Sequence, residues 1–243
     1  MKIPSLLLVL FFIVFHSYSQ ETQFDLKDKK ILVVYGGWEG HQPKYFGEKI
    51  ANWLRSQKAI VTVADSSSIY SNTELMRKQN LIVQHITMSE MTPEQSKGLL
   101  QAVASGVGLA GCHGGLGDSF RNDTEYQYMV GGQFVKHPGG RVTYTVHFEG
   151  NEDPIVNDLS DFSLHSEQYY MHVDPAIDVL ATTRFSGAHD SWIEGATIPV
   201  VWKKRYGNGK VFYTSIGHSK ENFDIPEVWS LITRGVNWAA QSD

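Results

Sequence analysis

Cysteine is nearly absent. Cys112 is the only one in 243 residues. A lone thiol makes no intramolecular disulfide, and it excludes a zinc module built on several cysteines. Basic runs are absent too. Lys and Arg number 21 against 26 Asp and Glu, for a net charge of −5. The chain therefore lacks the electrostatic footprint of a nucleic-acid binder. No Pro-, Ser- or Gly-rich linker divides it, and no internal repeat is visible. Beyond Phe15 no apolar run reaches the roughly 20 residues that cross a bilayer. What is present is 42% hydrophobic, 19% charged and 12% aromatic. That ordinary globular mixture excludes disorder, collagen-like repeats and coiled coil. The length suits one domain with a sizeable core and no need of disulfide staples.

The first residues have a different character from the rest. Met1-Lys2 is a short positive start, Ile3 to Phe15 is apolar, and small residues sit three and one before a cut after Ser19. This is the build of a secretory signal peptide. The expectation is a signal over residues 1–19, a domain over 28–241, and a mature protein exported to the periplasm or beyond the cell. With the signal removed, no membrane association is expected.

The body of the chain alternates two periods. Lys30 to Tyr35 is a continuous apolar run ending in Gly36-Gly37, which reads as a buried parallel strand and a tight turn. Phe46, Ile50, Trp53 and Leu54 share one helical face. Short strands are expected at Ile60–Val63, Leu81–Ile86 and Val107–Gly111. Thr92, Pro93 and Gln95 form a capping box that starts a helix running to about Ala104. The second half is richer in strands, with Arg141–Phe148, Asp178–Thr183 and a hairpin of Pro199–Tyr206 and Lys210–Ser215 around Gly207-Asn208-Gly209. Pro226 to Ala240 closes the chain as an amphipathic helix. Trp192, Trp202, Trp229 and Trp238 are expected in the core. The pattern predicts an α/β fold, a doubly wound, mostly parallel sheet with helices on both faces.

In such sheets ligands bind beyond the carboxyl ends of the strands. That rule selects four loops: Gly36–Lys44, Cys112–Asp123, Leu164–His172 and Gly217–Phe223. Each sets a histidine or carboxylate beside glycine or in an irregular stretch. Imidazole can serve as acid, base or metal ligand near neutral pH. His41, His113 and His218 are thus candidates for one pocket, either as catalysts or as ligands of a divalent metal such as zinc. His137, before Pro138-Gly139-Gly140, is a further candidate, as is Trp38 for stacking on a sugar ring. His85 is expected to be packed in a strand, and Glu39 and Asp118 to be solvated. Gly111-Cys112-His113-Gly114 looks like a nucleophile elbow, so Cys112 with His218 as its base is a rival reading. Lys220, rather than a carboxylate, stands two residues after His218, which weighs against it.

Several segments, in order, resemble the ThuA-like family, named for trehalose utilisation, of the class I glutamine amidotransferase-like superfamily. They are Val34-Tyr35-Gly36-Gly37 with His41; Gly111 to Gly115; Phe120 to Phe134 with His137-Pro138-Gly139; Ser166 to Pro175; and Pro199 to Lys204 with Gly209 to Tyr213 and Gly217-His218. The resemblance implies a flavodoxin-like fold and a role in sugar catabolism beside oxidoreductases that make 3-keto sugars. It carries over His41, His113, Glu167, Tyr169 and His218 as motif positions. Ser166-Glu167-Gln168-Tyr169 stands where many relatives have Asp-Glu-x-Tyr, so one carboxylate is missing. The expectation is an exported protein acting on keto-glycosides or related disaccharides by lyase, isomerase or hydrolase chemistry. His41, His113, Glu167 and His218 would be catalytic, and Trp38, Tyr169 and His137 would bind substrate. The alternatives are a non-catalytic sugar-binding module and a cysteine hydrolase using Cys112. A homo-oligomer is left open.

Overall fold

The computed structural model describes residues 25–150 and 152–241. The signal-peptide reading of residues 1–19 lies outside them. No helix among the described residues is long and apolar enough to cross a membrane.

The chain runs β1 (Lys30–Gly37), α1 (Pro43–Ser56), β2 (Ile60–Ala64), α2 (Thr73–Arg77), β3 (Leu81–Thr87), α3 (Pro93–Ala104), β4 (Gly108–Cys112), α4 (Gly114–Gly117) and α5 (Thr124–Val130). It continues through β5 (Gly132–Lys136), β6 (Arg141–Phe148), β7 (Phe162–Glu167), β8 (Tyr170–Val173), β9 (Asp178–Arg184), β10 (Thr197–Tyr206), β11 (Gly209–Thr214) and α6 (Pro226–Ala239). Among the described residues nine strands form one sheet in the order β2-β1-β3-β4-β11-β10-β9-β6-β7, and β5 pairs with β8. The half from β2 to β11 is parallel. From β11 onward the neighbours are antiparallel. The order reverses between β1 and β3, the kind of switch point where α/β sheets bind ligands.

The apolar run of β1 works as expected, because both faces of the strand are covered. Ile31 and Val33 pack with Phe46, Ile50 and Leu54 of α1 and with Val228, Leu231 and Ile232 of α6. Leu32 and Val34 face the other way, onto Leu99 and Val103 of α3 and Tyr126 and Met129 of α5. The capping box of α3 forms in both directions, with Gln95 N–H donating to Thr92 Oγ1 and Thr92 N–H to Gln95 Oε1. The hairpin turns at Gly207-Asn208, where Tyr206 pairs with Gly209.

Four expectations need correction. Leu164–His172 is not an irregular loop: it holds most of β7 and the start of β8. Trp192 is 79% exposed, whereas Trp202 is fully buried and donates its indole N–H to the Val130 carbonyl. Trp229 and Trp238 only half-enter the core, since α6 presents Val228, Leu231 and Ile232 to it instead. Asp118 is buried rather than solvated, because the Arg121 guanidinium clasps it with two hydrogen bonds of 2.6 and 2.9 Å.

Candidate active site

The carboxyl ends of β1, β4, β11 and β7 each bring one side chain to a common point. His41 follows β1 through a short turn. Gly37 makes that turn tight: its φ is +77°, and a Cβ there would lie 2.0 Å from the Thr87 carbonyl oxygen. The His41 Nδ1 lies 3.0 Å from the hydroxyl of Thr87, the last residue of β3. Strand β3 thus separates β1 from β4, so the three histidines do not follow three adjacent strands. They converge nonetheless, because Thr87 holds His41 across that gap.

His113 sits at the apex of the sharp turn from β4 into α4, with φ +51°. Positive φ strains a residue with a Cβ. Two bonds to the end of β11 hold the conformation: its N–H to the Thr214 carbonyl at 2.7 Å, and Nδ1 to the Ser215 carbonyl at 2.8 Å. The elbow legible in Gly-Cys-His-Gly is real, but its apex is the histidine. Cys112 is the last residue of β4, fully buried, with its sulfur 3.6 Å from His85 Nδ1. Burial pushes the thiol pKa well above its ordinary value. Burial, and then the neighbouring His41, pull His85 down to about 3. A buried, protonated thiol beside a buried, neutral imidazole is no nucleophile–base pair. Cys112→Ala is therefore expected to retain turnover within a few-fold, at a cost of about 1 kcal/mol in stability for the small void. Steady-state rates and a thermal melt of the same preparation check this.

Glu167 ends β7 and closes the cluster. Its Oε2 lies 3.1 Å from His113 Nε2, 3.2 Å from His218 Nδ1 and 3.8 Å from His41 Nε2. Ring centroids of His41 and His113 are 4.5 Å apart, and His218 lies 5.4 and 5.5 Å from them. His41, His113 and Glu167 are buried; the His218 side chain is 14% exposed. Burial raises the Glu167 carboxyl, but the adjacent imidazoles of His113, His218 and His41 outweigh it and hold the group well below the usual carboxylate range. Burial also lowers His113 to about 4 against the pull of Glu167, so that ring is neutral at pH 7.

The second carboxylate oxygen, Oε1, faces outward, 3.8 Å from His137 Nε2. His137 is the half-exposed member, its side chain 40% accessible. Its ring stacks on Phe134 of β5, and Phe134 in turn packs on Tyr169. Tyr169 stacks on His113 at 4.1 Å and places its hydroxyl 2.7 Å from His113 Nε2. Trp38 forms the opposite rim, 47% exposed, edge-on to His41 at 4.7 Å. Every candidate from the sequence, namely His41, His113, Glu167, His218, Trp38, Tyr169 and His137, thus surrounds one centre. Sequence reasoning missed Thr87, Phe134 and the Ser215 carbonyl. Thr87 at the end of an apolar strand run was the one signal available. A cavity of about 160 Å³ lined by Pro138, Thr143, Gln168, Phe185, His189 and Asp190 adjoins the chain neighbours of His137 and Glu167.

The family model described as ThuA, trehalose utilisation, matches residues 30–239. Among solved structures, a ThuA-like protein of Bacteroides uniformis is similar at a TM-score of 0.72 and 19% identity, covering 88% of this chain and 91% of that one. A ThuA-like protein of Parabacteroides merdae is similar at 0.69 and 20%, with 88% and 91% covered. The chain also overlays part of Gan42B, a GH42 β-galactosidase, at 0.51 and 15% identity, spanning 77% of this chain but 27% of that enzyme. At these identities the likeness is one of fold. No curated protein matches the chain.

Proposed function

Because the chain belongs to the ThuA family, whose role is carbohydrate-related, we propose that it acts on keto-glycosides, taking a proton from the carbon beside the ketone at the Glu167–histidine centre. The observation that supports this reading is a single buried carboxylate held ionised by three imidazoles, with one oxygen turned toward the open side. A carboxylate so stabilised is always charged but only weakly basic. It cannot remove a proton from an ordinary sugar carbon. A neighbouring ketone acidifies that C–H, which is why the reading requires an oxidised sugar.

In the proposed step the C–H bond breaks and its proton passes to Glu167 Oε1. The electron pair moves into the ring carbon bond and onto the ketone oxygen, giving an enediolate. The Tyr169 hydroxyl would stabilise that charge. Collapse of the enediolate either expels the substituent on the next carbon, a lyase reaction, or returns the proton elsewhere, an isomerisation. Trp38 and His137, the exposed rings on opposite rims, would bracket the sugar.

The test is to incubate the purified protein with 3-keto and unoxidised forms of the same disaccharide and follow products by mass spectrometry. Conversion of the keto form alone is expected. Binding of both forms with no product would instead favour a sugar-binding module, and conversion of the unoxidised form would exclude proton abstraction as the first step.

A further inference from the structure

We infer that His41 Nε2, His113 Nε2, His218 Nδ1 and Glu167 Oε2 together bind one divalent transition-metal cation. This deepens the reading above by naming what its centre holds, and it can fail independently, since metal content is measured without any sugar.

The argument rests on where the lone pairs are. The Ser215 carbonyl can only accept, so His113 Nδ1, 2.8 Å away, must carry the ring proton. With the proton on Nδ1, Nε2 is the atom that can present a lone pair, and the Tyr169 hydroxyl 2.7 Å away can donate to it. That lone pair faces Glu167 Oε2, another acceptor, across 3.1 Å. His218 Nδ1 is buried 3.2 Å from the same oxygen and makes no hydrogen bond there or elsewhere. Electron-rich atoms this close repel unless positive charge lies among them. One proton can relieve one contact, and the Tyr169 hydroxyl can satisfy one nitrogen. A cation relieves all of them at once.

The spacing agrees. Tetrahedral bonds of about 2.0–2.1 Å put ligand atoms about 3.4 Å apart. The three separations from Glu167 Oε2 are 3.1, 3.2 and 3.8 Å, and each of the four residues offers a ligand atom within 4.8 Å of the others'. The supporting contacts also fit. A metal-bound imidazole usually gives its other N–H to a carbonyl or hydroxyl, which fixes its tautomer and direction. His113 does so to Ser215, and the same arrangement joins His41 Nδ1 to Thr87 Oγ1 at 3.0 Å. Three imidazoles and one carboxylate suit Zn²⁺, Fe²⁺, Ni²⁺ or Co²⁺ rather than Mg²⁺ or Ca²⁺.

The experiment strips the purified chain with a chelator, reloads it separately with Zn²⁺, Co²⁺, Ni²⁺, Fe²⁺ and Mg²⁺, dialyses, and counts metal per chain by mass spectrometry. We expect about one equivalent of at least one transition metal and none of Mg²⁺. His218→Asn, on a partly exposed loop residue, should lower this to under a tenth of an equivalent with an unchanged circular dichroism spectrum. Thr87→Val, nearly isosteric, should weaken affinity 10- to 100-fold through His41 alone. Wild-type protein that retains no transition metal overturns the proposal. So does wild-type stoichiometry in a folded His218→Asn variant together with unchanged affinity in Thr87→Val.

Discussion

Glu167→Gln is expected to lower kcat on a keto disaccharide about a thousand-fold and to leave KM within about three-fold. The size follows from the role. A positioned general base contributes about 10²–10⁴, and a thousand-fold is about 4 kcal/mol at 1.36 kcal/mol per factor of ten. Glutamine keeps the shape and can still place an oxygen at the centre. It loses the charge and the capacity to accept a proton. Because that capacity matters only in the transition state, the loss should fall on kcat rather than on KM. Metal content and circular dichroism, read on the same sample, separate a lost base from a lost ligand or a lost fold. An active Glu167→Gln variant would mean that another group takes the proton.

Gly114→Ala should cost about a hundred-fold in kcat/KM with little change in fold. A Cβ at Gly114 would lie 2.6 Å from His41 Cε1 and 2.7 Å from its Nδ1, with Thr87 Cγ2 at 3.0 Å. The atoms in the way belong to side chains, so the backbone of α4 can stay and the His41 ring must move by about 1 Å. A displacement of that size in a reacting group can cost about 10²-fold. Gly115→Ala makes the contrast. Its Cβ would meet the His85 backbone at 2.8 Å as well as the ring at 2.2 Å. There the strand itself obstructs, and the melting temperature rather than the rate should fall first. Full activity in Gly114→Ala would show that His41 is not held to a fixed position by the chemistry.

These two positions also show how far the sequence alone could be read. The parallel strands β1, β3 and β4 were legible because burial on both faces writes an uninterrupted apolar run. Strand β7 was not. Phe162-Ser163-Leu164-His165-Ser166-Glu167 lies at the sheet edge, its outward positions polar, and its last residue carries the carboxylate of the site. The elbow after β4 was legible as a turn, but Cys112 and His113 are adjacent, and only the backbone decides which one occupies the apex. The histidine does, with φ +51°. Isolated residues were the hardest. Trp192 belongs to no periodic run that would reveal its direction, and it is exposed. Asp118 is buried only because Arg121 reaches back to it. The histidine candidates were found by one rule, that loops beyond strand ends bind ligands, while Glu167 and Tyr169 came from the resemblance to the ThuA-like family. Their convergence depends on β11 pairing beside β4 across about a hundred residues, and on β5 pairing with β8 to carry Phe134 under His137. Such long-range pairings leave no local trace.

The proton step can be watched without knowing the final product. Wild-type protein is incubated in D₂O with a 3-keto disaccharide, and recovered substrate and products are weighed by mass spectrometry alongside Glu167→Gln. Loss of the hydrogen at the carbon beside the ketone, seen as deuterium there in recovered or isomerised sugar or as its absence from an eliminated product, at a rate that Glu167→Gln abolishes, is the expected result. Consumption of the sugar with the original hydrogen retained at that carbon, or equal exchange in the two proteins, would contradict proton abstraction by this centre.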